Sequence, residues 1–168
     1  QRSREGETAN DDALAAAIAR SGRVVLPVFF EEQLAGAGVQ STKALRAIGI
    51  LEEAAGGKEG HICFTPDPGG TLRRLRPFVY DPLRNAPVPA FSLVSACQLL
   101  GVPVPDPARW AGRRPLAVSP GRKLHTDGEG DVLANWLGGR EGKSFTTVPF
   151  AAVLTDGVPD EVFRGKLV

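Results

Sequence analysis

Ala13-Leu14-Ala15-Ala16-Ala17-Ile18-Ala19-Arg20-Ser21-Gly22-Arg23-Val24-Val25-Leu26-Pro27-Val28-Phe29-Phe30 is the stretch that decides the fold class. Alanine, the best helix former, fills its first half, and Leu14 and Ile18 share one helical face. Gly22 stands at the position where a glycine closes a helix. The run Val24 to Phe30 is apolar without alternation, as in a strand covered on both faces. Pro27 has no N–H to give to a ladder, so the strand needs an edge or a bulge there. Helix, glycine, buried strand is the signature of an α/β fold, here a mixed β-sheet with flanking helices and at least two β-hairpins.

Outward from that stretch, Thr8 and Asp11 have the spacing of a capping box, and Asp11 and Asp12 suit the positive end of a helix. Residues 31–42, with Gly36 and Gly38 among polar neighbours, read as a loop. Ser41 is placed to cap a second helix carrying Leu45, Ile48 and Leu51 and ending near Gly56-Gly57. A third helix is expected from Phe91 to Leu100, with Leu93, Val94, Cys97 and Leu100 at helical spacing and Gly101 closing it. Pro82, Pro87 and Pro89 mark an irregular passage before it. Pro103, Pro105, Pro107, Pro115 and Pro120 make 102–122 an extended connector. A hairpin is expected from Arg122 to Leu137, turning at Asp127-Gly128-Glu129-Gly130. Phe145 to Pro149 reads as a short strand, Phe150 to Leu154 as a helix, and Pro159 as the first residue of a short helix through Phe163. Lys166-Leu167-Val168 begins a final strand.

Asp67-Pro68-Gly69-Gly70 concentrates turn-forming residues between the apolar run His61-Ile62-Cys63-Phe64 and Leu72-Arg73-Arg74-Leu75-Arg76-Pro77-Phe78-Val79-Tyr80. The local reading is a hairpin over 61–80 whose second strand carries three arginines. Strand alternation puts Arg74 and Arg76 on one face and Arg73 on the other. A structural reading makes them a solvated outer face, or ion pairs with Asp67, Asp81 or Glu53. A functional reading makes them contacts to an anion or polar ligand, because guanidinium donors grip carboxylate or phosphate in a fork.

With 168 residues the chain is expected to form a single domain with a substantial core. A net charge of +1 argues against a broad electrostatic footprint for nucleic acid. No run approaches the roughly 18–20 apolar residues of a membrane span. Beginning at Gln1 and ending in Gly165-Lys166-Leu167-Val168, the chain reads as part of a longer protein. Cys63 and Cys97 match neither a zinc spacing nor a C-x-x-C pair, and sit in apolar runs as buried free thiols would; a disulfide is the alternative.

No chemistry-bearing motif survives its spacing test. Gly138-Gly139-Arg140-Glu141-Gly142-Lys143-Ser144 resembles a phosphate loop, but Leu137 stands where that motif needs glycine, and a strand-like run follows. Asp127, Glu129 and Asp131 alternate like a calcium loop without its glycine or its distal glutamate, and read as a solvated turn. His61 and Cys63 share a strand face but lack a third metal ligand. No nucleophile elbow, activated cysteine or paired carboxylates are visible, so neither catalysis, a metal nor a cofactor is expected.

Five stretches in order resemble the second type of the CHASE family of bacterial extracytoplasmic sensory domains. Asp11-Asp12-Ala13-Leu14-Ala15 through Val24-Val25-Leu26-Pro27 is similar to the family's helix and "VVLP" strand. Asp67 through Arg73-Arg74 and Pro77 is similar to its "D-x-D-G-x-x-R-R-x-P" hairpin. Phe91-Ser92-Leu93 and Asn135-Trp136-Leu137-Gly138 resemble a "PSLAL" helix start and an "NYRG". Ser144-Phe145 through Val153-Leu154, Pro159 and Phe163-Arg164-Gly165-Lys166-Leu167-Val168 resembles the closing "F-x-x-V…VL…P…F-x-G-K-I-V-L-I-G". The resemblance runs from about residue 10 to 168 and lacks the family's opening strand, helix and strand. It implies the extracytoplasmic input domain of an inner-membrane receptor. Membrane helices would join it to a cytoplasmic cyclase, histidine kinase or Ser/Thr kinase. The expected partners are an unidentified small polar ligand and, through exposed sheet edges, a second copy of the chain. Arg73, Arg74, Arg76, Tyr80 and Asn135 are the candidate ligand contacts. A ligand-free dimerisation module and a periplasmic enzyme are the alternatives.

Overall fold

A computed structural model describes residues 5–35, 38–64, 66–110, 115–135 and 145–168. The chain opens with α1 (Glu5–Ser21) and closes it at Gly22, whose φ of 60° lets its N–H reach the Ile18 carbonyl at 3.0 Å. Thr8 thus lies inside the helix instead of capping it. The buried face is Ala15 and Ile18, an i, i+3 pair, while Leu14 is 50% exposed.

β1 (Leu26–Ala35) is the middle strand of the order β2-β1-β3. Its first three residues pair in parallel with β3 (Glu59–His61), and Phe29 onward pairs antiparallel with β2 (Gly38–Leu45), across an irregularity at Glu31/Glu32. The Leu26 N–H and Val28 carbonyl bond toward the β3 side, at 2.9 Å each. Pro27 therefore turns its nitrogen away from β3, at a point where β2 has not begun, and the edge it requires is supplied locally.

The helix expected from Ser41 is not formed. Residues 38–45 complete a ladder that β1 would otherwise leave open, and the second helix, α2 (Gly49–Ala54), starts only beyond it and packs on α1. Pairing overrides local helix propensity here. For the same reason 31–35 and 38–42 are strand, not loop.

The 61–80 hairpin is likewise corrected. Its turn exists, with Gly70 at φ 74° and its N–H on the Asp67 carbonyl at 2.7 Å. The flanking segments do not pair with each other, because the Ile62 N–H is already bonded to Val28 of β1. β4 (Arg74–Leu75) instead pairs antiparallel with β9 (Val132–Leu133).

Next comes a hairpin that the prolines had hidden, β5 (Phe78–Asp81) with β6 (Ala86–Pro89). Pro87 and Pro89 share one parity. The Ala90 N–H bonds the Pro77 carbonyl at 2.7 Å, which leaves the ladder donors to the residues that alternate with the prolines. α3 (Phe91–Leu100) follows as expected, with Leu93, Val94 and Cys97 buried and Gly101 at φ 65°. The 102–122 connector is more structured than its prolines suggest. It holds α4 (Pro107–Trp110) and a hairpin of β7 (Leu116–Ser119) and β8 (Arg122–Leu124).

β8 thus pairs backward with β7, and in place of a ladder a single bridge, Thr126–Val132, and the bonds of the Asp127 turn join the two sides of that turn among the described residues. Trp136 and Leu137 and the 138–144 glycine stretch lie outside the described residues. α5 (Phe150–Leu154) and a 3-10 turn (Asp160–Val162) appear where expected, whereas neither 145–149 nor 166–168 is a strand.

Two apolar clusters result among the described residues. Phe78, Ala90, Leu93, Cys97 and Leu116 form one, with the Trp110 ring 5.7 Å from that of Phe78. Val28, Phe30 and Val88 form the other, flanked by Cys63. No disulfide joins Cys63 and Cys97, and one lies at each cluster.

Candidate functional site

The Asp67–Gly70 turn, β4 and the Asp127–Gly130 turn bring basic and acidic side chains face to face. Arg74 donates from Nη1 to Asp67 Oδ1 at 2.6 Å and from Nε to Asp127 Oδ2 at 3.0 Å. Arg76 grips Asp131 with Nε at 3.0 Å and Nη2 at 3.4 Å, a two-point contact. Arg73 reaches Asp67 only at 3.9 Å. Asp127 is itself held by its own turn, its Oδ1 accepting from the N–H groups of Glu129 (2.9 Å) and Asp131 (3.0 Å). The Asp131 N–H foremost, and then Arg74, keep the Asp127 carboxyl below the ordinary carboxylate range. Arg74 is correspondingly raised, first by Asp127 and then by Asp67.

Three arginines thus meet three aspartates, and the dense positive charge of the sequence becomes a locally balanced lattice. Arg74 and Arg76 do share a face, and together with Asp67, Asp131, Cys63 and Val79 they line a cavity of about 160 Å³. The other candidates lie apart from that cavity. Arg73 is exposed, its carbonyl accepting the Ala134 N–H at 2.8 Å. Tyr80 is on the β5–β6 hairpin with its hydroxyl bonded to the Asn85 side chain, and Asn135 is exposed after β9.

Sequence reasoning named Asp67 as an arginine partner but left Asp127 and Asp131 as a solvated turn. It also missed a second network. Arg46 donates to Asp81 at 2.5 Å and to Glu59 at 3.2 Å, and Arg84 bridges Glu59 (2.8 Å) and Glu52 (3.2 Å). Asp81, expected as an arginine-cluster partner, belongs to this network. Among the described residues no group of three metal-ligating side chains occurs, and no helix is long and apolar enough to cross a membrane.

The motif order read from the sequence now has a structural frame. "VVLP" enters β1, the Asp67 turn leads into the arginine strand, and Phe91 opens α3. The family model for the CHASE2 domain matches residues 1–168. The chain belongs to the CHASE2 domain family. CHASE2 is a family of extracellular sensory domains of signalling receptors. No curated protein and no solved structure matches the chain.

Within this CHASE2 domain one titratable group sits directly behind the arginine strand. His61 is 3% exposed; its Nδ1 accepts the Cys63 N–H at 3.4 Å and its Nε2 has no hydrogen-bond partner among the described residues. Burial above all, aided by the positive charge of Arg76, lowers its pKa from 6.5 to about 4, against an opposing contribution from the Arg76 main chain. The unfolded chain therefore binds a proton between pH 6.5 and 4 that the folded domain refuses. Stability is present in full above pH 6.5 and falls as the pH drops toward 4, by about 2 kcal/mol between pH 7 and pH 5. Urea unfolding at the two pH values measures the loss, and His61→Phe is expected to flatten it. A wild-type domain equally stable at both would show that His61 is not held neutral.

Proposed function

We propose that this CHASE2 domain is the extracytoplasmic input module of a bacterial transmembrane receptor and that it binds a small polar ligand at the cavity lined by Arg74 and Arg76. The observation that carries the ligand site is that cavity: about 160 Å³, with two guanidiniums and two carboxylates on its walls. The carboxylates orient the arginines, and the balance of charge favours a zwitterion or a neutral polyol over a bare anion. Arg73, Tyr80 and Asn135 would be outlying contacts, not the centre of the site.

Transmission follows from population shift. A ligand that prefers one arrangement of the Asp67 and Asp127 turns biases that arrangement, with coupling of about 1–3 kcal/mol, or roughly 5–150-fold in affinity. The parent receptor would carry the membrane helices and a cytoplasmic cyclase or kinase output. The domain's role is sensory, not catalytic. A dimerisation module is the second reading, favoured by the exposed Phe145, Phe150 and Leu154.

A thermal-shift screen of amino acids, polyols, dicarboxylates and inorganic phosphate tests the proposal. At least one compound is expected to raise the melting temperature of the wild-type domain, and Arg74→Ala/Arg76→Ala is expected to abolish that shift while the domain still folds. An undiminished shift in the double variant overturns the site. Concentration-dependent dimerisation with no hit in the screen favours the second reading.

A further inference from the structure

Gly130 stands between Asp127 and Asp131, the turn carboxylates that Arg74 and Arg76 hold, and it is buried at φ 88°. Its carbonyl accepts the one hydrogen an indole can donate, from Trp110 Nε1 at 2.6 Å. The fit is close: a Cβ on Gly130 would stand 3.1 Å from that nitrogen and 3.3 Å from Cε2 and Cζ2 of the ring. Trp110 is carried there by α4, a single turn opened by Asp106, whose side chain accepts the Ala108 N–H at 2.9 Å. The other contact of the indole is Phe78, two residues past Arg76, with ring centres 5.7 Å apart and planes tilted by 47°. One side chain thus touches both the acidic turn and the chain that bears the arginines, without being among the described residues that line the cavity.

We propose that Trp110 is a positioning residue for the Arg74 cavity, its indole setting the separation of the acidic turn from the arginine strand. The β4–β9 ladder joins those two walls through only Arg74–Leu133 and Leu75–Val132, so it fixes them at one end and leaves the far end of the turn unheld by strand pairing. The indole supplies the second point of attachment. The turn keeps its own shape without Trp110, since Asp127 Oδ1 holds the Glu129 and Asp131 N–H groups and the Asp127 N–H bonds the Asp131 carbonyl at 2.8 Å. Trp110 governs where that intact turn stands, and so whether Asp127 and Asp131 meet Arg74 and Arg76 together. The effect on a ligand rests on the cavity being the sensor's binding site; the effect on the arginines does not.

Trp110→Phe keeps a ring against Phe78 and deletes the N–H. In the ligand-free domain, solvent exchange of the Arg74 and Arg76 Nε–H hydrogens, followed by NMR, is expected to quicken about fivefold, the weight of one hydrogen bond, while Arg84 in the Glu59–Glu52 network stays unchanged. Gly130→Ala, whose added carbon crowds the indole but leaves its N–H in place, is the second variant and is expected to give the same selective rise. A purely structural role predicts lower stability without selectivity, so unchanged exchange at Arg74 and Arg76, or an equal rise at Arg84, overturns the proposal. Trp136→Phe leaves Trp110 as the one tryptophan of the chain. In that protein the strongest compound from the polar screen is expected to shift the emission saturably, and the same compound is expected to bind Trp110→Phe about fivefold more weakly. Binding that leaves both the emission and the affinity untouched overturns the proposal. A screen without a hit counts against the polar site alone, and the exchange rates then decide Trp110 by themselves.

Discussion

Gly60→Ala is expected to cost the domain about 3 kcal/mol or more, enough to threaten folding of a marginally stable chain. Gly60 lies in β3, where the chain runs against the start of α3 and His61 bridges to Ala90. A Cβ there would overlap the Phe91 Cα and stand 2.7 Å from the Phe91 nitrogen and 3.1 Å from the Ala90 carbonyl carbon. These are backbone atoms, so no rotamer change relieves the clash. Nor is β3 free to retreat, because its other side is in register with β1. Gly49→Ala is the control: nothing lies within 4 Å of its added carbon, and its position opens α2. Thermal unfolding of the two variants makes the comparison. A Gly60→Ala melting temperature close to that of Gly49→Ala would contradict the close approach of β3 and α3.

Asp81→Ala is expected to destabilise by about 3 kcal/mol, because it leaves a nearly buried guanidinium without its closest counter-charge. Asp81 is 0% exposed and the Arg46 side chain 12%, with the guanidinium carbon 5.7 Å from the centre of the Phe30 ring. Burial disfavours charge on Asp81, but the Leu83 N–H at 2.9 Å and Arg46 outweigh it and hold the pKa below 3.8. Arg46→Met/Asp81→Leu is expected to be less damaging than Asp81→Ala, since it removes both charges together. The residual loss would be that of the Leu83 and Arg84 N–H groups, which lose the Asp81 carboxylate as acceptor. Chemical denaturation of the three proteins decides, and a double variant worse than Asp81→Ala would contradict this reading of the pair. The pH signatures separate as well. Asp81 supplies its stability above pH 3.8 and loses it as pH falls below, whereas His61 acts between 6.5 and 4.

How far the sequence could be read depended on how far apart the interacting residues lie. Gly22 and Gly101 ended their helices as expected because a helix cap is decided within one turn. The Asp67–Gly70 and Asp127–Gly130 turns were visible for the same reason. Strand partners were not: β4 meets β9 across more than fifty residues, and nothing in Leu72–Leu75 names Val132 or Leu133. Prolines misled in one direction only. Pro87 and Pro89 suggested irregularity, yet their shared parity lets β5–β6 pair around them. At the site, alternation correctly placed Arg74 and Arg76 on one face. Of their partners, Asp67 lay close enough in sequence to be named, whereas Asp127 and Asp131 were illegible, since those bonds span 53 and 55 residues. Three arginines in sequence left an anion site and an ion-paired face both open, and the fold pairs them with aspartates.

The measurement that bears most directly on the sensory site is NMR of the arginine Nε–H groups. Arg74 and Arg76 donate those hydrogens to Asp127 and Asp131, so their resonances report on the cavity itself. Titration with the strongest compound from the polar screen is predicted to shift the Arg74 and Arg76 signals saturably. The Arg84 signal, in the Glu59–Glu52 network, should stay in place. Saturable binding that moves other resonances and leaves Arg74 and Arg76 unchanged would contradict the assignment of this cavity as the sensor's binding site.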